Sequence, residues 1–181
     1  MSAAPLCPAC SEILPCDCPE PATPDGRALR NAFGRFATGV TVVTAISASG
    51  EPVGITVNSF SSVSLDPPLV LWSLGQAAGD FDTFWRADFY CINVLSADQV
   101  EISNRFACRD DDRFAGLVWR PGLGGVPVLD GCCASFEVRN TLQHEGGDHY
   151  IFVGQVERFS ADGVREPLIF CDGRYQRLAC D

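Results

Sequence analysis

Residues 54–71 read GITVNSFSSVSLDPPLVL and crowd Asn58, Ser59, Ser61, Ser62 and Ser64 into one short stretch. A β-branched run, Ile55 to Val57, enters it, Asp66-Pro67-Pro68 breaks it, and a second apolar run, Leu69 to Trp72, leaves it. The pattern predicts strand, polar connection, strand. Hydroxyls, a side-chain amide and free backbone N–H groups in so small a space suit a flat, polar, anionic ligand. Gly54 has no Cβ, so its backbone can approach a planar ring closely. Asn58 can donate and accept at once. The chain has two histidines, His144 and His149, flanking the turn sequence HEGGD. An imidazole there can bond an amide or a phosphate near neutral pH. A metal reading of His144, Glu145, Asp148 and His149 lacks a recognised ligand spacing, and no metal is expected.

Composition narrows the chemistry further. The 181 residues carry a net charge of −10, which argues against a nucleic-acid partner. All 13 basic side chains are arginine. Without lysine there is no Schiff base for pyridoxal chemistry and no P-loop. Any phosphate must be held by arginine, hydroxyls or backbone N–H groups. The GLGG at 122–125 precedes Val126-Pro127 rather than a helix and implies no Rossmann site. No apolar run is long enough to cross a membrane. The N-terminal residues lack the basic flank and apolar stretch of a signal peptide, which predicts a cytoplasmic protein.

Ten cysteines are unevenly spread. Cys7, Cys10, Cys16 and Cys18 form C-x2-C-x5-C-x-C among six prolines. C-x2-C is a zinc-knuckle spacing, but C-x-C is not. The alternative is a disordered tail with incidental thiols. Most of the others, Cys91 among them, read as small buried apolar groups.

The elements that must position these residues are β-rich. One domain, residues 26–181, follows a Pro/Cys-rich extension, 1–25. Asp25 would cap a helix running to about Phe36, with Leu29, Ala32, Phe33 and Phe36 on one face. Strands are predicted over 40–46, 53–57, 69–74 and 89–95. A short helix over 80–87 turns Phe81, Phe84 and Trp85 inward, and Ser96 caps a helix near 97–107. Residues 110–131 read as loops. Two long strands, about 132–143 and 149–159, precede a last pair near 167–171 and 174–178. Many antiparallel strands with few helices predict a mainly β fold closed as a barrel.

Six segments in order resemble the short-chain flavin reductase family, the NAD(P)H:flavin oxidoreductase components of two-component monooxygenases. They are FGRFATGVTVVTA (33–45), the serine-rich segment, FYCINVLSADQVEISNRFA (89–107), DRFAG (112–116), GDHYIFVGQVE (147–157) and PLIFCDGRY (167–175). The resemblance implies a split Greek-key antiparallel β-barrel with a few short peripheral helices, usually dimeric. It places flavin contacts at Gly54, Thr56, Asn58, Ser59, Ser73 and Gly75, and a phosphate partner at Arg105. It sets Phe170 and Gly173 on the nicotinamide side, with His149 orienting the hydride donor as the catalytic residue. His144 lies outside the motif and is read as structural. The loop GQAAGDFDTF departs from the family pattern: Ala77, Ala78 and Gly79 offer no hydroxyl, and Asp80 would repel phosphate. The implied activity is reduction of FMN or FAD by NADH, with NADPH also open. Reduced flavin would diffuse to a separate oxygenase. The alternatives are a flavin-binding electron carrier or a split-barrel FMN oxidase.

Overall fold

The computed structural model describes residues 25–108 and 112–178. The cysteines at 7, 10, 16 and 18 lie outside the described residues. The chain divides into two compact units, Met1–Arg35 and Phe36–Asp181. The first holds α1 (Gly26–Gly34), where the Asp25 carboxylate accepts from the Arg27 N–H at 3.0 Å. This is the cap its sequence predicts. The helix ends two residues before Phe36.

In the second unit a two-residue strand β1 (Thr38–Gly39) precedes β2 (Thr41–Ile46), β3 (Pro52–Val57), β4 (Ser61–Leu65) and β5 (Pro68–Gly75). Then come α2 (Phe81–Arg86), β6 (Phe89–Val94), α3 (Val100–Ala107), β7 (Trp119–Pro121) and β8 (Pro127–Leu129). The long hairpin β9 (Ala134–Gly146) and β10 (His149–Ala161) leads to β11 (Ile169–Cys171) and β12 (Arg174–Gln176). Seven strands form one antiparallel sheet in the order β3-β2-β6-β9-β10-β5-β4. The chain crosses from β3 at one edge to β4 at the other, and β6 returns to the middle, a Greek-key connectivity. No helix among the described residues is long and apolar enough to cross a membrane.

Strand alternation puts the core on one face of this rolled sheet. Val43, Trp72, Leu74, Tyr90, Ile92, Val138 and Phe152 meet there with Phe84 of α2. Trp72 stacks on Phe152 at 4.8 Å and meets Phe84 edge-on at 5.2 Å, geometries that aromatic quadrupoles favour. A glycine is required at 154, because a Cβ there would run into Tyr90 Oη and the Val138 side chain.

A side chain rather than a ladder extends the β4–β5 pairing beyond the end of β4. β3 and β4 are the two sheet edges, joined by Asn58-Ser59-Phe60. Above the point where β4 stops pairing, the Ser59 hydroxyl accepts from the Ser73 N–H at 2.9 Å and donates to the Ser73 carbonyl at 3.2 Å. One hydroxyl thus takes the place of a strand residue at the seam.

Four local expectations are corrected. The serine-rich stretch is not a connection: residues 61–65 form the edge strand β4, and only 58–60 connect. Its side chains are mostly exposed, so it lacks the apolar alternation that marks a strand. Trp85 does not turn inward but stays 39% exposed at the rim, where its edge meets Tyr150 at 5.0 Å. Helix α3 starts at Val100 with Gln99 before it, because the Ser96 hydroxyl is drawn to Asp98 and to the Gly131 carbonyl. Within 110–131 the hairpin β7–β8 is pinned by buried Asn93, whose Oδ1 accepts from the Leu129 N–H at 2.9 Å. The GLGG sequence there forms a 3₁₀ turn over buried Glu137, which accepts from the Leu123 N–H at 2.8 Å.

Ser59→Ala removes both seam bonds and leaves the Ser73 N–H and C=O without a protein partner. It should cost about 1–3 kcal/mol, read as a lower urea midpoint at unchanged m-value. Burial pushes the Cys132 thiol up to about 12 from 9.0, and burial, with a smaller contribution from Glu137, raises that of Cys91. Neutral thiols favoured by the fold contribute stability that is complete below the ordinary thiol pKa and is lost as pH rises above it. The melting temperature should therefore fall from about pH 9 upward, less steeply in Cys132→Ala.

Candidate functional site

The ends of β5 and β10 meet where the register pairs His149 with Gly75, Ile151 with Ser73 and Val153 with Leu71. Alternation sends Tyr150 and Phe152 into the core and leaves His149, Ile151 and Val153 on the outer face with Ser73 and Gly75. The His149 ring lies over Gly75: a Cβ at 75 would stand 3.5 Å from Nε2. The hairpin that carries His149 turns on Gly147, whose φ of +73° suits glycine. His144 sits in β9 opposite Ile151, on the same outer face and diagonal to His149.

The imidazole has a defined polarity. His149 Nδ1 is 2.6 Å from Asp148 Oδ1. The hydrogen bond and, after it, the charge of His149 hold the Asp148 carboxyl below its usual range. An ionised carboxylate can only accept, so Nδ1 carries the proton and Nε2 is left to face Gly75 and the site.

The other sequence-predicted residues fall into two groups. Ser59, Ser73, Gly75 and His149 stand together at the seam, and exposed Asn58 begins the crossing beside them. Gly54, Thr56 and Arg105 are gathered by α3. Gly54 is buried, and a Cβ there would come within 2.6 Å of Phe106 Cε1. The planar ring that requires glycine at 54 is that of Phe106. The Thr56 hydroxyl donates to the Ser103 carbonyl at 2.7 Å, and Arg105 Nη1 donates to the Ala115 carbonyl at 2.8 Å. Phe170 and Gly173 belong to the small sheet β1-β11-β12. There the Phe170 ring meets Tyr175 at 5.6 Å, and Tyr175 Oη reaches Ser103 and Asn104, each at 2.9 Å. Gly173 sits with Asp172 in a tight turn at φ +72° and +54°.

Sequence reasoning passed over Arg113. Its Nη1 donates to the Gly54 carbonyl at 2.6 Å and its Nη2 to Asp80 Oδ2 at 2.8 Å. The carboxylate expected to repel phosphate is therefore neutralised in place. The only local signal was a cation between Asp112 and Phe114 in DRFAG, because the partners lie 59 and 33 residues away in sequence.

The arrangement offers exposed serines on an edge strand, an outward amide, a small-residue platform at Gly75 and an oriented imidazole beside it. Such a donor set fits a planar heteroaromatic ligand with a hydrogen-bonding edge.

Known proteins resemble this chain in sequence and fold. The flavin reductase-like domain model matches residues 33–179. The FMN reductase (NADH) SmoA of Agrobacterium fabrum is 48% identical over 159 residues, 88% of this chain and 90% of its own length. The reductase component of the flavin-dependent trigonelline monooxygenase of Acinetobacter baylyi is 45% identical over 137 residues, 76% of this chain but 44% of its own length. The chain thus spans about half the length of some of the curated relatives it matches. The solved structure of NADH:FAD oxidoreductase SgcE6 of Streptomyces globisporus, in complex with NAD and FAD fragments, superposes with a TM-score of 0.83 at 39% identity, covering 90% of this chain and 99% of that one. With its split barrel and a family match over nearly all the described barrel, the chain belongs to the flavin reductase-like domain family.

Proposed function

We propose that this chain is an NADH-dependent flavin reductase that supplies reduced FMN or FAD to a separate oxygenase component. The observation that carries the reading is the His149 imidazole, fixed by Asp148 over Gly75 with Nε2 turned to the platform. When bound, the nicotinamide supplies the hydride and the flavin ring accepts it, so the protein needs no nucleophile of its own. Its residues orient. Asn58, Ser73, Gly75 and the β4 serines present the flavin-facing edge. Gly54, Thr56 and Ser59 shape it from below through Phe106, Ser103 and the seam. Arg105 is the proposed partner of the flavin phosphate. Phe170 and Gly173 bound the nicotinamide side, and His149 holds the carboxamide or a phosphate of the donor.

Relatives support both flavins: one is named for FMN and NADH, another for FAD and NADH. NADH is preferred to NADPH because the described residues show no basic cluster dedicated to a 2′-phosphate. Reduced flavin passes to the oxygenase by diffusion in the cytoplasm. The protein acts as a homodimer, a reading supported by Leu65 at 94% exposure and Val63 at 49% on edge strand β4. The reductase domain is residues 26–181, with 1–25 an extension outside it.

Purified protein should oxidise NADH only when FMN or FAD is added, followed by loss of the NADH absorbance. Flavin binding without turnover would instead indicate a carrier or a split-barrel oxidase. His149→Ala should raise the KM for NADH about tenfold, the equivalent of roughly 1.4 kcal/mol, or one hydrogen bond. Flavin affinity by fluorescence quenching should stay unchanged. Unaltered NADH kinetics would remove His149 from the site.

A further inference from the structure

The segment between β5 and α2 is held at both ends. At its start the Gln76 N–H donates to the Asp148 carbonyl at 3.0 Å, and its side-chain amide to the Gly147 carbonyl at 3.1 Å. The tip that bears His149 is thereby tied to Gly75-Gln76. At its far end Asp80 takes the Arg113 guanidinium at 2.8 Å, and the same guanidinium grips the β3 carbonyl of Gly54 at 2.6 Å. Between these ties the backbone folds tightly, with Ala78 N–H on the Gly75 carbonyl at 3.0 Å and Phe81 N–H on that of Ala78 at 3.1 Å. Ala78 packs its methyl against the aromatic core, while exposed Ala77 and Gly79 bring little side-chain surface.

Asp80 stands where an aspartate commonly caps a helix, yet its side chain makes no cap bond to α2. The carboxylate is turned to Arg113 instead. The two side chains are only 19% and 22% exposed and border a cavity of about 360 Å³ with Glu51, Asp112 and Phe114. A largely buried ion pair is costly to desolvate and is a poor source of net stability. What a planar guanidinium with two acceptors at fixed angles does supply is geometry, which lysine cannot reproduce.

We propose that Arg113 is a positioning residue for the reductase reaction. With Asp80 it clamps residues 76–80 to β3, and so holds Gly75 and the His149 ring in register with the Asn58–Ser59 crossing. This rests on the reductase reading above. Hydride transfer needs its two rings within a narrow range of distance and angle, and a displacement of about 1 Å can cost on the order of a hundredfold in rate. A clamp that reaches from the β3 strand to the segment on which His149 rests fixes that spacing.

The test compares the parent protein with Arg113→Met, Arg113→Lys, Asp80→Asn and the double variant Asp80→Asn/Arg113→Met. Two readouts are used: amide hydrogen exchange over residues 76–81, and steady-state kcat and KM with NADH and FMN. Arg113→Met should speed exchange at Gln76 and Phe81 and lower kcat about tenfold. Arg113→Lys, which restores charge but not the fork, should recover part of both. Asp80→Asn should match Arg113→Met, and the double variant should be no worse than either, as expected of one shared interaction. Parent-like exchange and kcat in Arg113→Met, or effects that simply multiply in the double variant, would overturn the clamp. A parent protein inactive with every flavin would remove the reductase reading instead, while the exchange data still decide whether residues 76–80 are held by Arg113. Arg113→Lys keeps the experiment decisive if the methionine variant fails to fold.

Discussion

Strand β10 is hydrogen-bonded on both sides, to β9 and to β5, and a strand must send successive side chains to opposite faces. That constraint sets the rest of the molecule. The inward residues, Tyr150, Phe152 and Gly154, build the aromatic core around Trp72 and Tyr90. The outward residues, His149, Ile151 and Val153, line the face that carries the candidate site. Slipping the register by one residue would bury the imidazole and expose Phe152, which fixes it strongly. The core and the site are therefore the two faces of one pairing, and the position of His149 over Gly75 is inherited from the ladder.

The seam opposite is where the barrel departs from regular pairing. A sheet with two edges leaves backbone N–H and C=O groups unpaired, and these must find partners or water. At Ser73 they find the Ser59 hydroxyl. On β4 they face outward along a row of serines. A split barrel thus concentrates backbone donors and hydroxyls at one place without requiring a long loop. The same place lies next to the hairpin tip that carries the imidazole. A side chain thus continues the pairing where strand β4 ends, beside the exposed hydroxyls of that strand.

Much of this was legible in the chain. The β-branched runs at 41–46 and 53–57 and the apolar alternation over 69–74 gave strands within a residue or two, because each has a buried face. The motif order gave the family. Edge strand β4 was hidden, since with no buried face serines read as loop. The hairpin β7–β8 was hidden by its length, three residues a strand between glycines and prolines, and its hold on Asn93 is a contact across the fold. The roles of single polar residues were the least legible. Gly54 was rightly singled out as a position of close approach, but the ring pressed against it is Phe106. Asp80 reads as a carboxylate that would repel phosphate, because its neutralising arginine is remote in sequence. Local pattern reports period and turn chemistry; it does not report which distant groups a side chain will spend its hydrogen bonds on.

The cations show what that spending means for recognition. With no lysine, each positive charge is a planar fork. Among the described residues Arg105 is bonded to a backbone carbonyl, Arg113 to a carbonyl and Asp80, Arg120 to Glu137, and Arg139 to Glu157 while lying 4.8 Å over the Phe89 ring. These are tasks that a guanidinium performs and an ammonium does not. The net charge is −10, and Arg105, the proposed phosphate partner, is already engaged. A phosphate bound there shares or replaces the bond to the Ala115 carbonyl, so the net gain at Arg105 is small. On the reductase reading, the larger share of flavin recognition then falls to the ring: to the exposed amide of Asn58, the backbone edge of β4 and the glycine platform beside His149. Those groups are set by strand pairing, so the geometry that builds the barrel also decides which end of the ligand it grips.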